Sequence, residues 1–447
     1  MSARRASAAL LALALLAPPA RANEPDTYGL GSRSAAMGSA VAADVRDFSA
    51  SYYNPAGLVD APGPDLSIGY VYASNRLRIN GNDNQVDPVH GIVGGVVAPG
   101  VAGGLPFAFG LAAHMPDDRL SRVKTLRQEQ PRWELYDSRA QLLYLTTNLA
   151  VRPVPWLEIG GGVTFLATTR GVLDITGTAD IQHVGDSQLR HEVDADLTPI
   201  RYPQGGVRLI ASDQWAFALV YRGQSKLSLT LDANLHGYVS TLDGAIVVPA
   251  AYALESRSLA AFLPQQLVAG TSWHPTPRVA LNVDLTWVNW SAYESPTSRS
   301  TAHFDITVPA GLPLTIPPDP KATQIVPPDF HDRIVPRLGA EWRVPVSSHL
   351  EVPLRAGYSY ERSPVPPQTG ITNFVDADRH ALSAGFGVRL MRPIAELPGD
   401  VRLDAHVQWS YLPERTIAKS NPADYVGDYR ASGTMLAGGA TLSLGFP

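Results

Sequence analysis

Apolar and polar residues alternate along several long stretches of this chain. In 279–287, Val279, Leu281, Val283, Leu285 and Trp287 fall on one face, and Ala280, Asn282, Asp284 and Thr286 on the other. In 401–411, Val401, Leu403, Ala405, Val407, Trp409 and Tyr411 alternate with Arg402, Asp404, His406, Gln408 and Ser410. The same rhythm runs through 217–231 (Phe217, Leu219, Tyr221, Leu227, Leu229, Leu231) and 350–361 (Leu350, Val352, Leu354, Ala356, Tyr358, Tyr360). A period of two places successive side chains on opposite faces of a β-strand. These runs are longer than the roughly five or six residues usual in soluble sheets, and they fit the 9–11 or so that a tilted strand needs to cross a bilayer.

Fourteen segments qualify as strands: 66–79, 89–99, 105–118, 140–153, 156–171, 197–210, 214–232, 264–274, 278–291, 331–344, 349–363, 377–392, 399–416 and 431–446. The number is even, as a single-chain bacterial barrel requires. Short turns at 152–155, 212–214, 274–277 and 346–348, and a longer one at 392–399, alternate with long polar or Pro-rich connections. Outer-membrane barrels have this asymmetry, with short periplasmic turns and long extracellular loops. Trp156, Trp215, Trp273 and Trp342 lie beside the short turns, where an interfacial aromatic belt belongs. A soluble all-β secreted protein, with those tryptophans in its core, is the rival reading. The strands imply an all-β, 14-stranded antiparallel transmembrane β-barrel. Phe446 closes the last strand with the aromatic that such barrels use as an assembly signal, although Pro447 follows it.

The first residues follow a different rule. Arg4 and Arg5 precede an apolar stretch from Ala8 to Ala17, Pro18 and Pro19 interrupt it, and Ala20-Arg21-Ala22 forms an A-x-A site. Ten apolar residues are too few to span about 30 Å of hydrocarbon, so 1–22 reads as a cleaved secretory signal peptide. Composition agrees with an exported barrel. Of the 447 residues 45% are hydrophobic and only 17% charged, with 38 Gly, 38 Pro and no Cys. Thiolate metal sites, disulfides and cysteine nucleophiles are excluded. The net charge of −5 becomes −8 once Arg4, Arg5 and Arg21 are removed, which argues against a nucleic-acid partner.

Residues 23–63 do not alternate. They are small and turn-rich, with Gly29-Leu30-Gly31, Ser34-Ala35-Ala36-Met37-Gly38, Asp44 and Asn54-Pro55-Ala56-Gly57. A barrel of this width cannot fill its lumen with its own side chains, and a forty-residue segment of this kind suits the inside. Pro55 biases Asn54 to an extended shape, and Asn54 favours an Asx turn; the four residues alone are equally an ordinary turn. The expected domains are a signal peptide (1–22), an N-terminal hatch (23–63) and a barrel with extracellular loops (64–447).

The chain also resembles the long-chain fatty-acid transporter (FadL/TodX, OMPP1) family of outer-membrane proteins. The resemblance rests on Ser34 to Gly38 through Asp44, Ser51-Tyr52-Tyr53 and Asn54-Pro55-Ala56-Gly57. It continues with Leu263-Pro264-Gln265, the run Asp284 to Ser291, Phe330-His331-Asp332, and Arg337 to Glu341. Arg355 to Tyr358, Ser363 to Pro366, Asp378-Arg379-His380 and Ser383-Ala384-Gly385 complete it in family order. The long loops do not match. The resemblance implies a plugged 14-strand barrel in the bacterial outer membrane that takes up hydrophobic molecules passively, such as long-chain fatty acids or aromatic hydrocarbons. Ligand would be captured by extracellular loops, pass the hatch and leave sideways near the third strand. Neither cofactor nor metal is expected, and no P-loop pattern is present. The expected partners are hydrophobic small molecules, outer-membrane lipid with lipopolysaccharide, and the barrel-assembly machinery, for a protein acting as a monomer.

Two loops are candidates for the capture surface. In 233–263 they are Val247, Val248, Tyr252, Leu259 and Phe262, with 252–263 read as a short amphipathic helix. In 294–330 they are Leu312, Leu314 and Ile316. Loops packing on each other would explain the same residues. Gly110 and Pro116 in the third strand are lateral-gate candidates, since both residue types weaken a ladder, although a turn or an edge explains them as well. Lumen-facing charges such as Arg222, Asp284, Arg337, Glu341 and Arg355 either anchor a carboxylate head group or pair with each other and the hatch. With no GxSxG elbow or HExxH helix, an enzyme is not expected. A porin or structural barrel without specific cargo is the alternative function.

Overall fold

The computed structural model describes residues 24–117, 129–136, 143–180, 188–241, 246–297, 299–306, 319, 322, 325–392, 399–421 and 424–446. The signal-peptide segment 1–22 and the candidates Leu312, Leu314 and Ile316 lie outside them.

The alternating segments become the wall of a closed antiparallel barrel of fourteen strands. In chain order these are β1 (Asp65–Ile79), β2 (Val89–Ala102), β3 (Leu105–Pro116), β4 (Tyr144–Val154), β5 (Leu157–Asp180), β6 (Gln188–Ile210) and β7 (Trp215–Arg222). They continue as β8 (Gln266–Thr276), β9 (Val279–Val288), β10 (Arg333–Ser347), β11 (Leu350–Glu361), β12 (Arg379–Met391), β13 (Asp400–Ile417) and β14 (Tyr429–Gly445). Each pairs with its sequence neighbours, and β1 closes on β14 from Asp65↔Gly445 to Ile79↔Ala431. Closure leaves no unpaired edge in the wall, which is what a hydrocarbon environment demands of a sheet. No described helix is long and apolar enough to cross a membrane.

The wall is inverted relative to a soluble protein. On β9, Leu281, Val283 and Leu285 are 38%, 46% and 49% exposed, whereas Asn282, Asp284 and Thr286 are 3%, 2% and 1% exposed. The apolar face looks outward and the polar face into the barrel, the arrangement of a lipid-facing cylinder. Trp156, Trp215, Trp273 and Trp342 are all exposed near the short-turn rim, and Trp215 stacks on Trp273 at 5.6 Å.

At the long-loop end the sheet overruns the barrel. Strands β5 and β6 continue as a hairpin, and further strands at Ser225–Thr241, Ile246–Leu263 and Arg299–Ile306 extend it. Residues 230–240 run parallel to 170–180, a pairing that belongs to this projection and not to the wall. Two sequence expectations change here. The run 214–232 is not one strand: it breaks at Gly223-Gln224, where Gly223 N–H bonds Pro203 O at 2.9 Å, and the chain leaves the wall. The stretch 252–263 is not a helix but part of a strand paired on both sides, so that ladder hydrogen bonds replace intrahelical ones.

Candidate functional site

The N-terminal segment occupies the lumen. Residues 24–63 fold into single helical turns, Glu24–Thr27, Ser32–Ala36 and Ala50–Tyr53, followed by a 3-10 helix at Pro55–Asp60. Nearly every residue from Tyr28 to Val59 is buried. Small residues permit the fit. A Cβ on Gly357 of β11 would come within 2.1 Å of Gly38 N, and one on Gly160 of β5 within 2.4 Å of Pro55 C, so at both places backbone meets backbone. Gly38 itself has φ +62°, which few side chains tolerate.

Polar wall residues complete the attachment, because a segment this short leaves many backbone groups without partners of its own. Asp284 Oδ2 accepts from Val41 N (2.9 Å) and Ala42 N (3.0 Å). Asn282 donates to Ala40 O (2.9 Å), Arg208 to Ala43 O (2.8 Å) and Asn148 to Ser51 O (3.1 Å). Asn54 is extended, accepts from Ala56 N (3.1 Å) in an Asx turn that starts the 3-10 helix, and donates to Ala42 O (2.8 Å). Pro55 needs no N–H at the first position of that helix. A Cβ on Gly57 would lie 2.0 Å from Val45 O.

Ion pairs cluster toward the short-turn end. Arg33 bridges Asp44 (2.6 Å) and Glu341 (3.1 Å), and Glu341 also takes Arg355 (2.7 Å). Asp44 is further contacted by Arg46 (3.1 Å) and His274 (3.3 Å). Burial alone would raise the Asp44 carboxyl, but Arg33, the His274 bond and Arg46 outweigh it and hold the group well below the usual carboxylate range. Arg208 joins Glu158 (3.0 Å) to Asp60 (3.1 Å), and Arg152 takes both of these acids. Two cavities near this rim, of about 210 and 580 Å³, share the charged residues Arg46, Asp60 and Arg343.

Above the segment the arrangement is different. Phe262, Trp290, Tyr293, Phe330 and Phe374 pack into one aromatic cluster with Leu259 and Val365. Tyr293 stacks on Phe330 at 4.7 Å, Phe330 meets Phe374 edge-on at 5.5 Å, and Arg333 lies over Trp290. Of the capture candidates, Leu259 and Phe262 join this cluster. Val247, Val248 and Tyr252 stand on the projecting hairpin, Val247 exposed and Val248 buried. The cluster's other aromatics come from two connections, β9 to β10 and β11 to β12, so no local pattern unites them. Trp290 and Phe330 fall in runs that carry the family resemblance, whereas nothing in the sequence singles out Tyr293 or Phe374.

The gate candidates sit in β3. Gly110 pairs with Val97 and Asn148, so the ladder is unbroken there; it faces inward, where a Cβ would lie 2.6 Å from both Leu58 methyls. Pro116 pairs with Gly91, while the described ladder to β4 ends at His114↔Tyr144.

The family model for the outer membrane protein transport proteins (OMPP1/FadL/TodX) matches residues 8–443. Alkane uptake protein A of Marinobacter nauticus is 24% identical over 402 residues, 85% of this chain and 81% of that protein. The solved CymD monoaromatic hydrocarbon channel is 17% identical with a TM-score of 0.56, covering 95% of this chain and 99% of its own. The P. putida toluene transporter TodX is 15% identical with a TM-score of 0.53, covering 94% and 99%. The two structures agree in fold, and the family model covers wall and lumen segment together. This chain therefore belongs to the OMPP1/FadL/TodX family of outer-membrane transport proteins.

Proposed function

We propose that the protein admits small hydrophobic molecules, hydrocarbons or related lipids, by capture at its extracellular loops and lateral release through the wall. The observation that carries this reading is the filled lumen: a barrel stoppered by its own residues 28–59 is built for something other than a steady aqueous flux. The names of its relatives support the same reading: an alkane uptake protein, a monoaromatic hydrocarbon channel and a toluene transporter. In this scheme residues 1–22 direct export, 23–63 act as the hatch, and cargo settles first among the extracellular loops, beside the aromatic cluster that buries Leu259 and Phe262. The hatch then shifts, and cargo leaves near β3. Withdrawal of Leu58 there would uncover a strip of small inward residues, Ala108, Gly110 and Ala112. Diffusion down a gradient drives the transfer without nucleotide or cofactor.

Cells making this protein should accumulate labelled dodecane or toluene faster than cells carrying an empty vector. The purified protein should hold a planar bilayer closed to ions. A steady open current without hydrocarbon uptake would establish a porin instead.

A further inference from the structure

The upper lumen contains a site with the donors of a carboxylate receptor, and the chain fills it with a carboxylate of its own. Arg222, at the long-loop end of β7, is 6% exposed. Its Nε and one terminal nitrogen donate to Gln266 Oε1 (3.0 and 2.8 Å), and the other donates to Tyr52 O (3.1 Å). The guanidinium also lies over the Tyr52 ring at 4.5 Å. Asp26, from the first helical turn of the lumen segment, takes the complementary side of both bridging residues. Its Oδ2 accepts from Gln266 Nε2 (2.8 Å), and its Oδ1 accepts from the Tyr52 hydroxyl. Gln266 and Tyr52 thus each connect the same cation to the same anion. Asp26, Tyr52 and Arg222 border a small cavity of about 10 Å³, together with Pro25, Asp284 and Arg337.

A phenol and a primary amide converge on the Asp26 carboxylate with a guanidinium directly behind them, a donor set that suits an acid head group. The neighbouring described cations offer it little else. Arg333, Arg337 and Arg379 converge on Glu361, with Arg337 also held by Thr286 at 2.9 Å. An incoming carboxylate would therefore have to displace Asp26 or sit beside it, and like charges in a dehydrated site repel strongly.

From this geometry we infer that Asp26 is a specificity-determining residue: a tethered counter-ion that reserves the Arg222 site and biases the lumen toward uncharged cargo over carboxylic acids. The inference rests on the proposed function and narrows its substrate class.

The full-length barrel in detergent tests it with two probes of one chain length, dodecanoate and methyl dodecanoate. The wild type should prefer the ester at pH 8, and the acid should approach the ester's affinity at pH 4, where it is neutral. Asp26→Asn should raise dodecanoate affinity about tenfold, the scale of one charge-assisted contact, and leave the ester within about twofold. Asp26→Glu should keep the wild-type preference, and Asp26→Asn combined with Arg222→Gln should abolish the gain. Heat-modifiable electrophoretic mobility identifies folded barrels. An equal gain for both probes, or a gain that survives loss of Arg222, would mean a loosened segment and overturn the inference. So would ester binding with no change in the preference of Asp26→Asn, or a wild-type acid affinity equal at the two pH values; in both cases the proposed function stands. Failure of every variant to bind either probe would overturn the proposed function, and the role of Asp26 with it.

Discussion

Asp376 sits in the connection between β11 and β12, on the long-loop side and outside the membrane wall, and is 1% exposed. Burial pushes its carboxyl up to about 6, and the Ser363 hydroxyl and the Arg333 charge offset only part of the shift. A carboxyl raised above its unfolded value binds its proton more tightly in the folded state. The packed loop is therefore most secure below about pH 4 and loses stability as pH rises toward and past 6. Arg415, which donates to Asp376 O (3.2 Å) and Val365 O (2.9 Å), ties the same loop to β13. Limited proteolysis between 362 and 378 should be slower at pH 5 than at pH 8. Asp376→Asn should remove that difference and protect the loop at pH 8 by about 2 kcal/mol, the equivalent of the shift after allowance for relaxation. An unchanged pH dependence in the variant would assign the effect to another group.

Between elements, the contact that matters most is that of the lumen segment with the wall. Ser32 and Thr441 face each other across it, hydroxyl to hydroxyl at 3.0 Å, and the native chain has no Cys. Ser32→Cys with Thr441→Cys should form a lock under oxidation. Dodecane uptake should then fall roughly tenfold and recover on reduction, if movement of the segment limits transfer. Uptake indifferent to the oxidation state would show that cargo passes a stationary hatch. The elements themselves were legible in unequal degree. Alternation located all fourteen wall strands, because lipid outside and polar contacts inside leave the period of two intact in β9 and β13. It failed at 214–232, since 215–222 and 225–241 are both strands and nothing in their apolar pattern marks where the chain leaves the wall. At 252–263 the spacing of Tyr252, Leu259 and Phe262 suited a helix, but pairing with 225–241 and 299–306 decided otherwise. The wall attachments of the lumen segment were only partly legible. Asp284 stood out as an inward charge, yet its role as acceptor for Val41 and Ala42 depends on residues more than 240 positions away.

For the molecule as a whole, wall and filling are complementary surfaces that need each other. Inward Asn148, Gln204, Arg208, Asn282 and Asp284 would be hydrated without residues 24–63, and the space would become an aqueous channel. Deleting 24–63 while retaining residues 1–23 should still give a heat-modifiable barrel, but one that passes stepwise ionic currents in a planar bilayer. Conductance identical to the intact protein would mean that another element closes the bore.

The hydrogen bonds of Ser32 with Thr441 join residues 409 positions apart, and β14, which carries Thr441, is also the strand that seals the seam with β1. The first turns of the lumen segment consequently cannot complete their contacts until the last strand is in place. Assembly should therefore end with the seating of Ser32 against β14, after the wall has closed on itself.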